Sequence, residues 1–152
     1  MDVASGRVGD QMNGPERRVW RAFVDGGWAL MARLNAEFSA EGLSLTDLRV
    51  LEVMADMPDR SISEVAGSAH MGVSTVSRLI TRLIDAGDVA RTASTSDARH
   101  RLVSLTEQGH RTLDRHVELR DRLIRKFVIE VLTDDEYAML GETFTRIGRA
   151  TR

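Results

Sequence analysis

Five side chains able to make short or forked hydrogen bonds, Ser74, Thr75, Ser77, Arg78 and Arg82, crowd one segment of the chain. Read as a helix, that segment puts Arg78 and Arg82 one turn apart on one side, with the hydroxyls near the start. Val76, Leu79, Ile80 and Leu83 take the opposite face, as a buried stripe should. A guanidinium can donate two parallel hydrogen bonds to guanine, and Ser and Thr hydroxyls can bond bases or phosphates. Arg82, further along the helix than Arg78, is better placed for a backbone phosphate. This is the chemistry of a helix whose N-terminal end enters a major groove. The same residues also fit an amphipathic helix in an ordinary bundle with a solvated arginine edge. Periodicity does not separate the two readings.

Charge adds a modest indication. The formal net charge is -2, which argues against a nucleic-acid partner unless the cations are segregated. From Met71 to Arg101 five arginines stand against three aspartates, a net of +2, whereas from Glu41 to His70 six acidic residues oppose Arg49 and Arg60, a net of -4. The positive charge gathers where the hydrogen-bonding helix lies. Polarisation of this size is also common in proteins that touch no nucleic acid.

The elements that must position these groups are mostly helical. Pro15 can open a helix reaching about Ala40, with Val19, Phe23, Leu30, Leu34 and Phe38 near helical spacing and Gly42 as its stop. Ser44 can cap a second helix, Leu45 to about Met54, with Leu48, Leu51, Val53 and Met54 apolar. Ser61 and Glu64 form a capping box for a third, short helix to Ala69, which Gly72 interrupts. The fourth, Val73 to Ala86, carries the hydroxyls and arginines and stops at Gly87. The third and fourth helices have the proportions of a helix-turn-helix. Val89–Thr92 and Arg101–Leu105 read as strands, Val103 and Leu105 sharing a face, around a polar hairpin loop from Ala93 to His100. Thr106 can cap a long helix from Glu107 to about Leu132, with Leu113, Val117, Ile124, Phe127, Val128 and Val131 as its apolar residues. Thr133 and Glu136 form a second capping box for a final helix with Tyr137, Leu140, Phe144 and Ile147. The expected class is mainly α with a small β-hairpin, an α+β winged head on a helical region.

Several classes are excluded. The chain has no cysteine, which removes disulfides and thiol redox chemistry and fits a cytoplasmic location. Asp2, Arg7, Asp10, Glu16, Arg17 and Arg18 stand where a secretory signal needs an apolar core, and no apolar run is long enough to span a membrane. His70, His100, His110 and His116 never fall at i, i+4 on one helix, so no metal is expected and the histidines read as solvated or capping. No phosphate-binding glycine loop, nucleophile elbow or paired-carboxylate motif appears, so no cofactor, no catalytic residue and no enzymatic activity are expected.

The stretch DARHRLVSLTEQG, Asp97 to Gly109, joins a D-x-R loop to a strand and L-T-x-x-G. It resembles the wing and the start of the fifth helix in the MarR family of bacterial transcriptional regulators. SEVAGSAHMGVSTVSRLITRLIDAGDVAR is similar to that family's third and fourth helices, and SLTDLRVLEVM to its second. Motif likeness thus covers about Leu43 to Gly109, with helix order and length carrying the rest. Three positions depart from the pattern: Ala98 where a second basic residue is common, Gly72-Val73 where Ser-Pro is common, and Asp88 where the strand usually starts with an apolar residue.

The resemblance implies a winged helix-turn-helix in which helix 73–86 reads the major groove of an operator duplex and wing 89–105 the minor groove. Arg99 matches the family's minor-groove arginine, where a guanidinium reads groove width and negative potential. Asp97 would orient it by a charge-assisted hydrogen bond, and Arg101 and Arg91 flank the wing. One helix-turn-helix buries too little surface for tight reading, so a homodimer on a pseudo-palindrome is expected. The implied organisation is a flexible lead at 1–14, a DNA-binding region at 41–106 and a dimerisation region at 15–40 and 107–152. The expected activity is repression. The family also implies a small aromatic or phenolic effector, for which Trp20, Trp28 and Met31 beside Gly26-Gly27 are the lining candidates; the two glycines suggest a kink or a close helix approach. Core or interface packing accounts for the same residues. The rival function is a helical interaction module, an adaptor or anti-regulator that keeps the fold without binding DNA.

Overall fold

A computed structural model gives the architecture of residues 11–93 and 101–152. The wing residues Asp97, Ala98, Arg99 and His100 and most of the N-terminal lead therefore lie outside the described residues. The chain divides into two units, residues 1–33 and 34–152, and the first helix, α1 (Gly14–Ala40), runs through the division.

In the first unit α1 begins one residue before Pro15. Asn13 Oδ1 accepts the Glu16 N–H at 2.9 Å, and a Glu16 carboxylate oxygen accepts the Asn13 N–H at 2.7 Å. The exchange is a capping box written Asn-x-x-Glu, and the missing N–H of Pro15 costs nothing in the first turn. The helix continues through Gly26 and Gly27, and nothing lies within 4 Å of where a Cβ would stand on either. Of the two expectations for these glycines, a kink or a close helix approach, the second is not seen among the described residues. Val19, Trp20, Trp28 and Met31 are all exposed, so the apolar spacing of this half of α1 does not mark a core stripe.

The second unit contains the core. After Leu34 and Phe38 at the end of α1 come α2 (Leu45–Asp56), α3 (Ile62–Ala69) and α4 (Val73–Asp85). Strands β1 (Val89–Ala93) and β2 (Arg101–Leu105) follow, then α5 (Glu107–Ile124), a π-helical turn (Arg125–Ile129) and α6 (Asp134–Ala150). Phe38, Val50, Leu51, Met54, Val65, Val76, Ile80 and Val103 are essentially sealed from solvent. The strands pair antiparallel with Val89 opposite Leu105 and Arg91 opposite Val103. Arg60 adds a bridge on the far edge of β2, donating to Val103 O at 3.4 Å and accepting from Val103 N at 2.8 Å. Sequence patterning did not show this third arm, because one bridging residue leaves no alternation.

The long fifth helix departs from expectation in two ways. Its buried stripe is Leu113, His116, Leu119 and Leu123, shifted from the expected Val117 and Ile124, which are half-buried. The helix also does not reach Leu132 as one α-helix. At Arg125–Ile129 it widens into a π-turn, with Glu130 N–H reaching back to Arg125 O at 2.9 Å. Phe127, Val128 and Ile129 place one aromatic and two β-branched side chains in succession, and the wider turn relieves their crowding against the preceding turn.

Both expected capping boxes are present. Ser61 Oγ and Thr133 Oγ1 accept the Glu64 and Glu136 N–H groups at 3.2 and 3.3 Å, and the glutamates return oxygens to the Ser61 and Thr133 N–H groups at 2.9 and 2.8 Å. Backbone hydrogen bonds from Ser61 and Thr133, then their hydroxyls, hold both carboxyls below the ordinary value. A carboxyl held low adds stability that is complete above its unfolded value and is lost as pH falls through its folded value. The double variant Glu64→Gln, Glu136→Gln keeps an acceptor at both sites but does not titrate. It should therefore show a shallower loss of stability on acidification than the parent, measured by urea unfolding at neutral pH and in the carboxylate range. Parallel losses in the two proteins would remove these caps as a source of acid sensitivity.

Candidate nucleic-acid interface

The turn between α3 and α4 is three residues, His70, Met71 and Gly72. His70 rather than Gly72 adopts the left-handed conformation, φ 56°, and its N–H returns to the end of α3. Met71 N–H follows to Ala66 O at 3.0 Å. Gly72 is extended and serves as the N-cap of α4 without any side-chain bond, so this helix start lacks the cap that Ser61 gives α3.

On α4 the inward face is the expected one, Val76, Leu79, Ile80 and Leu83. Its strongly one-sided burial leaves Ser74, Thr75 and Arg78 exposed along the N-terminal half, with Ser77 half-buried. Arg82 has a second role. Its Nη1 and Nη2 donate to the two carboxylate oxygens of Asp47 at 3.0 and 2.5 Å, a bidentate pairing of α4 with the first turn of α2. Asp47 is buried while the Arg82 side chain is 59% exposed. Hydrogen bonding to Asp47 pushes the Arg82 guanidinium further above its ordinary value, so it stays cationic throughout the physiological range.

Gly87 ends α4 with φ 85°, and the chain turns into β1 through Asp88. Asp88 N–H donates to Leu83 O at 2.9 Å, and Asp88 O accepts the Thr106 N–H at 3.0 Å. Its buried carboxylate accepts from Thr112 Oγ1 at 2.8 Å and Gln108 Nε2 at 3.1 Å. The polar residue at this strand start is thus satisfied by α5. Thr106 caps α5 through the Gly109 N–H at 3.0 Å and donates its hydroxyl to Gly87 O at 2.7 Å. Arg91 and Arg101, on opposite strands, are exposed. Asp97 and Arg99 lie between the strands in sequence, outside the described residues. Trp20, Trp28 and Met31 belong to the first unit, where Trp20 lies 5.6 Å from Phe23, ring to ring.

The profile of the MarR family matches residues 41–100, the span from the end of α1 to the wing. Over that span the chain is similar to the MarR family. Over 122 residues it is 29% identical to the HTH-type transcriptional repressor Rv2887 of Mycobacterium tuberculosis, covering 80% of this chain and 87% of that one. Its fold is that of Sco3205, a MarR-family regulator of Streptomyces coelicolor solved in complex with DNA, with TM-score 0.84, 24% identity and 93% and 94% of the two chains covered. BpsR of Bordetella bronchiseptica, whose DNA binding 6-hydroxynicotinic acid regulates, aligns with TM-score 0.75 and 18% identity over 86% of this chain and 98% of its own. Rv2887 is described as a transcriptional repressor and Sco3205 as a transcriptional regulator.

Two residues of this chain escaped sequence reading. Asp47 stands in the first turn of α2, and nothing local in the sequence announces a partner 35 positions away. His116 is buried rather than solvated, its Nδ1 2.7 Å from Thr112 O and its Nε2 3.4 Å from the Ser44 N–H. Its place on the Leu113–Leu123 stripe was the available signal. Among the described residues no three His, Asp or Glu side chains gather as a metal site, and no helix is long and apolar enough to cross a membrane.

Proposed function

We propose that the chain is a DNA-binding transcriptional repressor that grips a pseudo-palindromic operator as a homodimer and works in the cytoplasm. The observation that carries this reading is the N-terminal half of α4. It presents Ser74, Thr75 and Arg78 to solvent while the opposite face anchors the helix. A rigid helix offering unspent forked donors suits a major groove. Arg78 reads a base edge, Ser74, Thr75 and Ser77 bond bases or phosphates, and Arg101 and the exposed part of Arg82 meet phosphates. Arg99, oriented by Asp97, enters the adjoining minor groove. The repressor named among the relatives and the DNA-bound neighbour support the assignment.

The dimer reading rests on apolar surface. Trp20, Trp28 and Met31 in one unit, and Met139, Leu140 and Ile147 on α6 in the other, are exposed beyond what isolated apolar side chains need. A second copy would cover them, making 15–40 and 107–152 the dimerisation region and 41–106 the reading region. A small aromatic effector bound beside Trp20, Trp28 and Met31 would release DNA by favouring a dimer whose heads no longer match the half-site spacing. The effector-regulated neighbour supports that extension.

Selection of binding sites from random duplex DNA tests the proposal. The expected product is a pseudo-palindrome with half-sites about one helical turn apart, bound with an affinity that falls steeply with salt as counterions are displaced. No enrichment at low salt would overturn the function.

A further inference from the structure

We propose that Asp59, in the loop between α2 and α3, is the positioning residue of the wing, clamping both of its strands to the start of the helix-turn-helix. The consequence for DNA rests on the function proposed above; the clamp itself does not.

Asp59 has φ 55°, a conformation L-residues other than Asn and Asp rarely take. That backbone turn lets one residue address β2 with both main chain and side chain. The Asp59 N–H donates to Ser104 Oγ at 3.0 Å, and the Ser104 hydroxyl donates back to Asp59 Oδ1 at 2.7 Å. The same Oδ1 accepts from Thr92 Oγ1 on β1 at 3.5 Å. The strand register explains why both hydroxyls are available. Val89 and Val103 point into the core, which sends Thr92 and Ser104 together to the other face. One carboxylate oxygen therefore bridges the two strands that flank residues 94–100.

The next residues carry this tie into the reading head. Arg60 bridges Val103 through the main chain, so β2 is bonded along both edges. The Arg60 side chain lies 3.3 Å from Glu64, whose carboxylate is also the reciprocal half of the α3 capping box. Ser61 opens α3 immediately afterwards. The root of the wing and the first turn of the helix-turn-helix thus share three consecutive residues. A two-stranded ribbon alone is marginally stable, and this one gains its fixed angle from the Asp59 loop.

The test compares Asp59→Asn, Asp59→Gly, Asp59→Ala and Ser104→Ala in the full chain by amide hydrogen exchange. Binding to the duplex that the parent protein selects from random DNA is measured alongside. Asn keeps an acceptor and tolerates the positive φ, so it should match the parent. Gly relieves the backbone yet loses the acceptor. It should speed exchange across residues 89–105 while leaving α5 and α6 unchanged, and weaken DNA binding about tenfold, the scale of one hydrogen bond to a charged group. Ser104→Ala should follow Gly, and Ala, strained as well, should be the worst. Parent-like exchange of 89–105 in the Gly and Ser104 variants would overturn the clamp. So would equal acceleration in α5 and α6, or an Asn variant that behaves like Gly. A parent protein that selects no DNA would remove the proposed function and leave the clamp to be judged by exchange alone.

Discussion

Replacing Gly109 by alanine is expected to lower the melting temperature by about 10 °C, because an added Cβ would stand 2.0 Å from Asp88 O and 3.0 Å from Asp88 C. The obstruction is backbone, so no side-chain rotation relieves it. That carbonyl is also engaged, accepting the Thr106 N–H at the entrance to α5. Moving it aside would disturb the Thr106 cap and draw the Asp88 carboxylate away from Thr112 and Gln108. Overpacking of this kind costs about 3 kcal/mol, and roughly 3 °C accompanies each kcal/mol in a chain of this length. Gly67→Ala provides the opposite sign. Gly67 lies within α3 with nothing inside 4 Å of its Cβ position, so alanine there should stabilise by up to about 1 kcal/mol through helix propensity. Thermal unfolding of both variants checks the pair. An unchanged melting temperature for Gly109→Ala would mean that the close approach of α5 to Asp88 is not as described.

The same junction shows what could be read from the sequence and what could not. L-T-x-x-G was recognisable as a motif, with Thr106 legible as an N-cap and Gly109 only as a letter in the pattern. Its reason, a helix passing against the backbone where the wing begins, exists only in three dimensions. Local rules performed well where the physics is local. Both S/T-x-x-E boxes, the α4 stripe and the two strands were legible because caps, helical periodicity and alternation span a few residues. Reading failed where distant segments meet. Burial of Asp47 depends on Arg82, and the Arg60 bridge depends on β2. Val19, on the apolar period of α1 yet exposed, shows the converse, since such a period reports a face that seeks cover, not cover within the same chain. In the site, the solvent-facing positions of α4 followed directly from its stripe, whereas the division that gives Arg82 to Asp47 and leaves Arg78 exposed did not.

That division leads to an expected contrast between two arginines one turn apart. Arg78→Ala should leave stability within about 0.5 kcal/mol, as for an exposed side chain, and weaken binding to the selected duplex by about tenfold or more through loss of a bidentate base contact. Arg82→Ala should lower stability by about 2 kcal/mol, because it strands a buried Asp47 carboxylate; the figure is reduced from that of a fully buried pair by the exposure of Arg82. Asp47→Ala removes the buried charge along with its partner's contact and should therefore cost less than Arg82→Ala. Arg82→Lys should recover only part of the loss, since an ammonium cannot reproduce the two parallel bonds to Oδ1 and Oδ2. Urea unfolding and DNA titration on the same preparations separate the roles. A destabilised Arg78→Ala, or an Arg82→Ala as stable as the parent, would reverse the assignment and make Arg82 the freer of the two groups. Asp47 makes the contrast sharp: by fixing Arg82 it ties α4 to α2, so the helix that presents Arg78 is held by the arginine behind it.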